Sequence, residues 1–450
     1  MNNSQNKLGE MPVGKLIITM SVPMMISMFI QALYNVVDSI FVAKICEDAL
    51  TAVSLAYPLQ SVMNAVAVGT GVGVNALVSR SLGEGNFRRA EKAANVQIFL
   101  GLVYAFCMLL VGLFFARKFY TVQTDVQSII DYGEQYLSVV CCWSLGLFFS
   151  QGFEKLLVAT GNSTPSMISQ ALGAILNIIL DPIFIFTFGL GVRGAAIATV
   201  IGQCSAALCA YLLNLKYNQA THFDLRQLLP DRKILRFIYA VGLPSTITIG
   251  LNAIMSYAMN GILLTFSTTA AAVYGVWMKL LSFGCMPVFG MNNGTIAIFS
   301  YNHGAKKYDR VFATLRIAMT LGVCITLAVT SLYELIPGPL MRLFNASDYM
   351  MSIGVPAVRI CGLSLTLGAA CVIISSASQS LGHAGFALFI NLCRQIIILL
   401  PVAFLLASFR RLELVWFAPM IAEALSLVVA IFICRRVIRE LKQQQAASAR

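Results

Sequence analysis

Twelve stretches of this chain are apolar over lengths that a lipid bilayer accommodates and water does not. They fall at about 14–43, 50–80, 94–116, 128–153, 165–190, 194–215, 237–264, 268–298, 311–336, 353–378, 385–408 and 414–434. A hydrocarbon core roughly 30 Å thick is crossed by about 20 helical residues, and within it every backbone N–H and C=O must find an internal partner. The runs do not alternate polar with apolar as barrel strands do, so they predict helices. Composition agrees, with 58% hydrophobic residues, 11% charged residues and a mean hydropathy of +0.80. The expected fold class is an all-α membrane protein with twelve transmembrane helices. The first run lacks a small-residue cleavage site and reads as a retained helix.

Orientation follows from the basic residues. With the amino terminus inside, about 21 Lys and Arg fall on inner loops and tails and about 7 on outer ones, the bias expected of cytoplasmic loops. Lys279, Arg359 and Arg394 are left within spans. The expectation is a multi-pass protein of the bacterial inner (cytoplasmic) membrane with both termini in the cytoplasm. The net charge of +12 is then directed at anionic lipid headgroups. Membrane lipids are expected partners; nucleic acid is not.

The two halves of the chain align at a constant shift of 221 residues. It carries Pro23 to Pro244, Gly161 to Gly382, and the segment from Ser79 to Arg89 onto that from Ser300 to Arg310. Six helices per repeat is an even number, so both halves share one orientation, as in several transporter folds. The expected organisation is an amino-terminal six-helix lobe (1–215), a cytoplasmic linker (216–236), a carboxyl-terminal six-helix lobe (237–434) and a basic cytoplasmic tail (435–450). Two lobes imply a central cleft and alternating access.

Polar residues inside the spans mark where function costs stability. Gln31, Asn35 and Asp38 follow one helical face at i, i+4 and i+7, and Asn177 precedes Asp181 by one turn. An intramembrane carboxylate costs about 2.5–3.5 kcal/mol even on lenient scales, so it should face a cavity or a partner. Counted at 1.5 Å per residue from the outer helix ends, Asp38 lies roughly 9 Å deep and Asp181 roughly 12–15 Å deep. Thr199 and Tyr136 reach comparable depth, so four helices can bring their polar groups together. The repeat maps Asp38 to Met259, Tyr136 to Ala357, Asn177 to Ile398, Asp181 to Val402 and Thr199 to Met420. The cluster belongs to one half only, which separates it from anything the fold itself requires. Neighbouring carboxylates in low dielectric hold a proton between them or recruit a cation.

At these residues the chain resembles the multidrug and toxic compound extrusion (MATE) family over nearly its whole length. The resemblance rests on Leu33-Tyr34-Asn35-Val36-Val37-Asp38, Gly161-Asn162, the segment Leu176 to Phe186 and Gly194-Ala195-Ala196-Ile197-Ala198-Thr199. It implies two six-helix lobes forming a V, extrusion of drugs driven by proton or sodium entry, and a cation site in the first lobe. That site would comprise Asp38, Asn177, Asp181 and Thr199, with Tyr136 beside them, and sodium is a possible ligand of the first four. Some members also use acidic residues in the seventh and tenth spans. Neither the span around Met255 and Met259 nor that around Cys361 carries one here.

The remaining features bound the function. Gln31, Asn35, Met255, Met259 and Lys279 are candidate substrate contacts, since methionine and aromatic faces suit varied amphiphiles. Arg394 or Lys279 could instead pair with Glu423. Gly69-Thr70-Gly71-Val72-Gly73 lacks the strand–turn–helix setting of a dinucleotide loop and reads as close helix packing. Twelve cysteines without Cys-x-x-Cys spacing read as buried thiols. His222, His303 and His383 show no metal spacing, and neither enzyme nor cofactor is indicated. The leading reading is a secondary active exporter of amphiphilic, cationic small molecules in exchange for protons or sodium ions, working as a monomer. The alternative is a dedicated exporter or flippase of one metabolite or lipid-linked sugar.

Equivalent loops of a parallel repeat share a side of the membrane. Cysteines introduced beside Arg88-Arg89 and beside Lys306-Lys307 should both resist impermeant reagents added outside intact cells. Labelling of one loop and not its counterpart would dismantle the repeat.

Overall fold

A computed structural model of the chain describes residues 3–218, 223, 231–344 and 346–448. Among these the regular elements are all helices. After a short helix at Asn3–Glu10, the long ones of the first half are α1 (Val13–Ala43), α2 (Glu47–Gly83), α3 (Phe87–Phe114), α4 (Gln127–Cys142), α5 (Leu145–Ala159), α6 (Ser163–Pro182) and α7 (Gly191–Tyr217). Those of the second are α8 (Arg232–Leu264), α9 (Thr268–Gly304), α10 (Tyr308–Leu335), α11 (Asp348–Gly362), α12 (Ser364–Ser380), α13 (Ala384–Leu392), α14 (Leu399–Ser408) and α15 (Ala418–Ser448). Eleven described segments are long and apolar enough to cross a membrane, and α4 with α5 forms a twelfth, bent by 46°. The chain is therefore a multi-pass membrane protein.

The residues group into two compact units. One contains Met1–Met11 and Thr19–Thr246, the other Pro12–Ile18 and Ile247–Arg450. The division falls within α8 and not in the connection at 216–236, most of which lies outside the described residues. The local reason is close packing of the first half of α8 on α2. A Cβ on Gly73 would stand 2.2 Å from the carbonyl oxygen of Ile238, and one on Gly242 would stand 2.4 Å from that of Gly69. Between helices in lipid the hydrophobic drive is absent, so backbone proximity of this kind supplies the attraction. The glycines of the 69–73 run thus act as packing residues. The expected tail at 435–450 continues α15 as helix to Ser448.

The 221-residue shift holds in three dimensions. It carries α2 onto α9 and α3 onto α10 with both ends of each in register. The N-cap of α2, Cys46, accepts from the backbone N–H of Ala49; its counterpart Ser267 accepts from Ala270. Ser79 donates to the carbonyl of Ala159, and Ser300 donates to that of Ser380. Turn residues with positive φ recur in the same way: Gly85 (72°) and Lys306 (56°), Gly161 (85°) and Gly382 (96°), Gly189 (65°) and Arg410 (55°). Backbone geometry, including its left-handed turns, is what the two repeats share.

Side chains are where they part. In the first unit Gly173 on α6 and Gly202 on α7 approach so closely that a Cβ on either would sit 2.8 or 2.7 Å from the other's carbonyl oxygen. The shifted positions in the second unit are Arg394 and Glu423, joined by two bonds of 2.8 and 2.7 Å. Arg394 lies on a π-turn, Cys393–Ile397, and Gly368 on α12 leaves room for the pair, a Cβ there falling 3.1 Å from Arg394 Nη2. The first unit has Leu147 at the position corresponding to Gly368. One unit joins these helices by backbone contact, the other by a bidentate ion pair.

Removing one member of a buried pair costs about 3–5 kcal/mol, and this pair, with side chains 15% and 16% exposed, should approach the lower end. Arg394→Met should lower the thermal midpoint in detergent accordingly. The triple variant Gly368→Leu, Arg394→Gly and Glu423→Gly, which installs the first unit's residues, should be less damaging. A single variant melting like the wild type would show that the pair holds nothing.

Candidate functional site: a polar cluster in the first unit

Four elements of the first unit converge on one polar cluster. α1 is apolar for most of its length and carries Asp38 one turn before its end at Ala43. α6 carries Asn177 and Asp181 a turn apart, and Pro182 is followed by a π-turn, Ile183–Thr187, that continues the helix. Proline removes a backbone donor and a π-turn absorbs the misfit. The Asp181-Pro182 step is therefore a local widening inside the span and not its end. α7 supplies Thr199 and α4 supplies Tyr136.

Asp181 is fully buried, Asn177 is 2% exposed and Thr199 6%. Asn177 Nδ2 donates to Asp181 Oδ1 at 3.4 Å and to Thr199 Oγ1 at 3.3 Å. Exchanging the amide's oxygen and nitrogen improves this: the nitrogen donates to Asp181 Oδ2 at 3.1 Å and the oxygen accepts from the Thr199 backbone N–H at 3.1 Å. The second arrangement is the better one, since it satisfies both ends of the amide. Asp38 presents its carboxylate to that of Asp181 at hydrogen-bonding range. Its buried Oδ1 finds no donor among the described residues. Two acceptors facing one another need a proton or a cation between them.

Phenols flank the carboxylates. Tyr136, 3% exposed, accepts a hydrogen bond from Gln60 Nε2 at 3.0 Å and lies within electrostatic reach of Asp38. Tyr34 lies within reach of both Asp38 and Asp181. Beyond Asp38, Phe41 meets Phe186 edge-on at 6.4 Å between ring centres. The cluster is thus a buried acidic centre with hydroxyl and amide groups around it and aromatic rings above.

All five residues proposed for ion coupling, Asp38, Tyr136, Asn177, Asp181 and Thr199, occupy this cluster. The proposed substrate contacts scatter. Gln31 lies about two turns along α1 from Asp38 and accepts from Gln170 Nε2 at 3.4 Å, and Gln170 also bonds Ser27. Asn35 is exposed. In the second unit Met255 and Met259 are 8% and 1% exposed and pack in the core, Met255 Sδ accepting from Tyr274. There they serve as packing residues. Lys279 is exposed, with Nζ 5.6 Å from the Phe344 ring, and the partner of Glu423 is Arg394.

Gln60, Tyr34 and Gln170 were missed by the sequence reading. The same signal, a polar group in an apolar span, could have found Gln60 and Gln170. Lys155, just past the end of the apolar run at 128–153, is buried in α5 beside Glu154. All twelve cysteines are free. His222 lies outside the described residues, and among those described no three His, Cys, Asp or Glu side chains gather at metal-binding distance.

Eleven apolar spans and a bent twelfth, in two units of one backbone design, with an unpaired acidic centre among the described residues of one of them, have the form of a transporter. The MatE family profile matches residues 23–183 and 244–405, one match beginning at each repeat-related proline. The chain belongs to the MatE family of transporters. It is 24% identical over 444 residues to the multidrug export protein MepA of Staphylococcus haemolyticus strain JCSC1435, covering 97% of both chains. To MepA of Staphylococcus aureus strain NCTC 8325 / PS 47 it is 25% identical, covering 94% of this chain and 93% of the relative. Among solved structures, an outward-facing multidrug resistance MATE family transporter of the MOP superfamily superposes with a TM-score of 0.93 at 26% identity, covering 98% of this chain and 99% of that one.

Proposed function

We propose that this transporter exports amphiphilic, preferentially cationic small molecules from the cell, in exchange for protons or sodium ions that enter through the cluster at Asp38 and Asp181. It would work as a monomer in the bacterial cytoplasmic membrane with both termini inside. The observation that carries the reading is the pair of facing carboxylates: a buried Asp38 oxygen without a donor, opposite Asp181, which Asn177 already holds. The multidrug export function of the MepA relatives supports the substrate class.

In this scheme Asp38 is the exchanging group. Asp181 is fixed by Asn177, and Asn177 in turn by the Thr199 backbone, so the ion's arrival and departure are felt mainly by α1. A proton would bridge the carboxylates directly. A sodium ion would draw on the same carboxylates with the Asn177 and Thr199 oxygens. Either ion stabilises α1 against α6, and its loss leaves two like charges opposed, a differential that can bias one conformation over another. Lipophilic cations are the expected cargo because they compete for the same negative charge.

Asp38→Asn removes the titrating group at nearly constant shape. At matched membrane expression, dye efflux from energised cells should fall to the level of cells lacking the protein, while Asp181→Asn should leave part of it. Imposing proton and sodium gradients separately on everted vesicles identifies the ion. Full efflux by Asp38→Asn would contradict the proposal, and protection against anionic compounds without any against cationic dyes would favour a dedicated exporter.

A further inference from the structure

The bend between α4 and α5 has a consequence on the outer face of the first unit. α7 runs straight past it, and where α5 begins the two helices touch closely: a Cβ on Gly146 would lie 2.8 Å from Cys204 Sγ. Beyond the bend they enclose an open-sided groove of about 510 Å³. Its walls are apolar, with Val139 and Trp143 on one side and Ile197, Ile201 and Leu208 on the other. The exceptions are Arg193 at the mouth, in the first turn of α7, and Cys204 and Ser205 further along the same helix. Arg193 is exposed, and no described acidic side chain pairs with it. Trp143 is 64% exposed in the groove.

Size and charge select the occupant. From Arg193 to Leu208 the groove follows α7 for roughly 22 Å, whereas one leaflet's share of the hydrocarbon core is about 15 Å. A guanidinium at the interfacial end of an apolar slot of that depth is matched by a phosphate above an acyl chain. It is the planar donor that recognises phosphate best. We infer that this groove is a binding site for an anionic phospholipid, its phosphate on Arg193 and one acyl chain laid along α7 past Trp143.

The site lies behind the polar cluster. Thr199 falls between the groove residues Ile197 and Ile201 on α7, and Tyr136 is one turn from Val139 on α4. An acyl chain there supports the lipid-facing side of the two helices that present Thr199 and Tyr136. The inference concerns lipid retention and does not depend on which ion or drug the transporter carries.

The test is native mass spectrometry of the purified full-length protein titrated with phosphatidylglycerol or with phosphatidylcholine of matched chains. One interfacial basic residue is worth about fivefold in affinity for an anionic lipid. The wild type should therefore hold phosphatidylglycerol about fivefold more tightly than Arg193→Gln does, at one site, with a weaker effect for phosphatidylcholine. Ser205→Phe, which keeps Arg193 and fills the slot, should lose the same bound lipid. Unchanged phosphatidylglycerol binding by both variants would overturn the site. Equal retention of the two lipids by the wild type would overturn its charge preference.

Discussion

The character of the first unit rests on one electrostatic constraint. Two carboxylates, on α1 and α6, face each other inside a membrane-spanning unit, where like charges are poorly screened. Asn177 and the backbone of Thr199 fix one of them. The other stands on the end of a long helix with an oxygen that has no donor among the described residues. Such a pair is stable only with something positive between its members, and on the proposed mechanism its helix packing depends on that ion. The energy is not stored in any one bond. It lies in the difference between the occupied and the empty pair, which is the quantity a coupled transporter has to transmit.

The repeat shows how that constraint was added to a common frame. Helix ends, N-caps, left-handed turns and the Ser79 and Ser300 bonds recur at one shift, whereas the chemistry at matched positions does not. Where the first unit has its acidic cluster, the second has Met259, Ala357, Ile398 and Val402 in or against an apolar core. Where the second unit has the Arg394–Glu423 pair, the first has two glycines in backbone contact. Each unit carries buried charge at a place where the other is apolar or glycine, so the polar groups cannot be a requirement of the backbone. In the second unit the charges are already paired and satisfied. In the first they are not, and this separates a structural ion pair from a site able to bind.

Much of this was legible in the residues. The apolar runs set the number of spans, because helix length in lipid is fixed by bilayer thickness, and the register of Pro23 with Pro244 exposed the repeat. Asp38, Asn177, Asp181, Thr199 and Tyr136 could be grouped by depth, since 1.5 Å per residue turns sequence position into height. Direction around the helix was harder. Asn35 lies one turn from Asp38 in sequence yet is exposed, because position along an axis does not settle burial. Met255 and Met259 looked like pocket residues by composition and proved to be core, a distinction that only packing makes. Gln60 escaped notice because a single amide in a long apolar span carries little weight until its partner, Tyr136, is known. The π-turn after Pro182 had no sequence signature beyond the proline itself.

Linkage between ion and cargo tests the central claim most directly. The affinity of purified, reconstituted protein for a fluorescent lipophilic cation can be measured across pH at fixed sodium, and across sodium at fixed pH. If one ion held by Asp38 and Asp181 must leave as the cation binds, the wild type should show about a tenfold change in Kd per tenfold change in that ion, and no dependence on the other. In Asp38→Asn that slope should vanish while the cation still binds. The same slope in the variant and the wild type would place the coupling ion elsewhere and contradict a site built on the facing carboxylates.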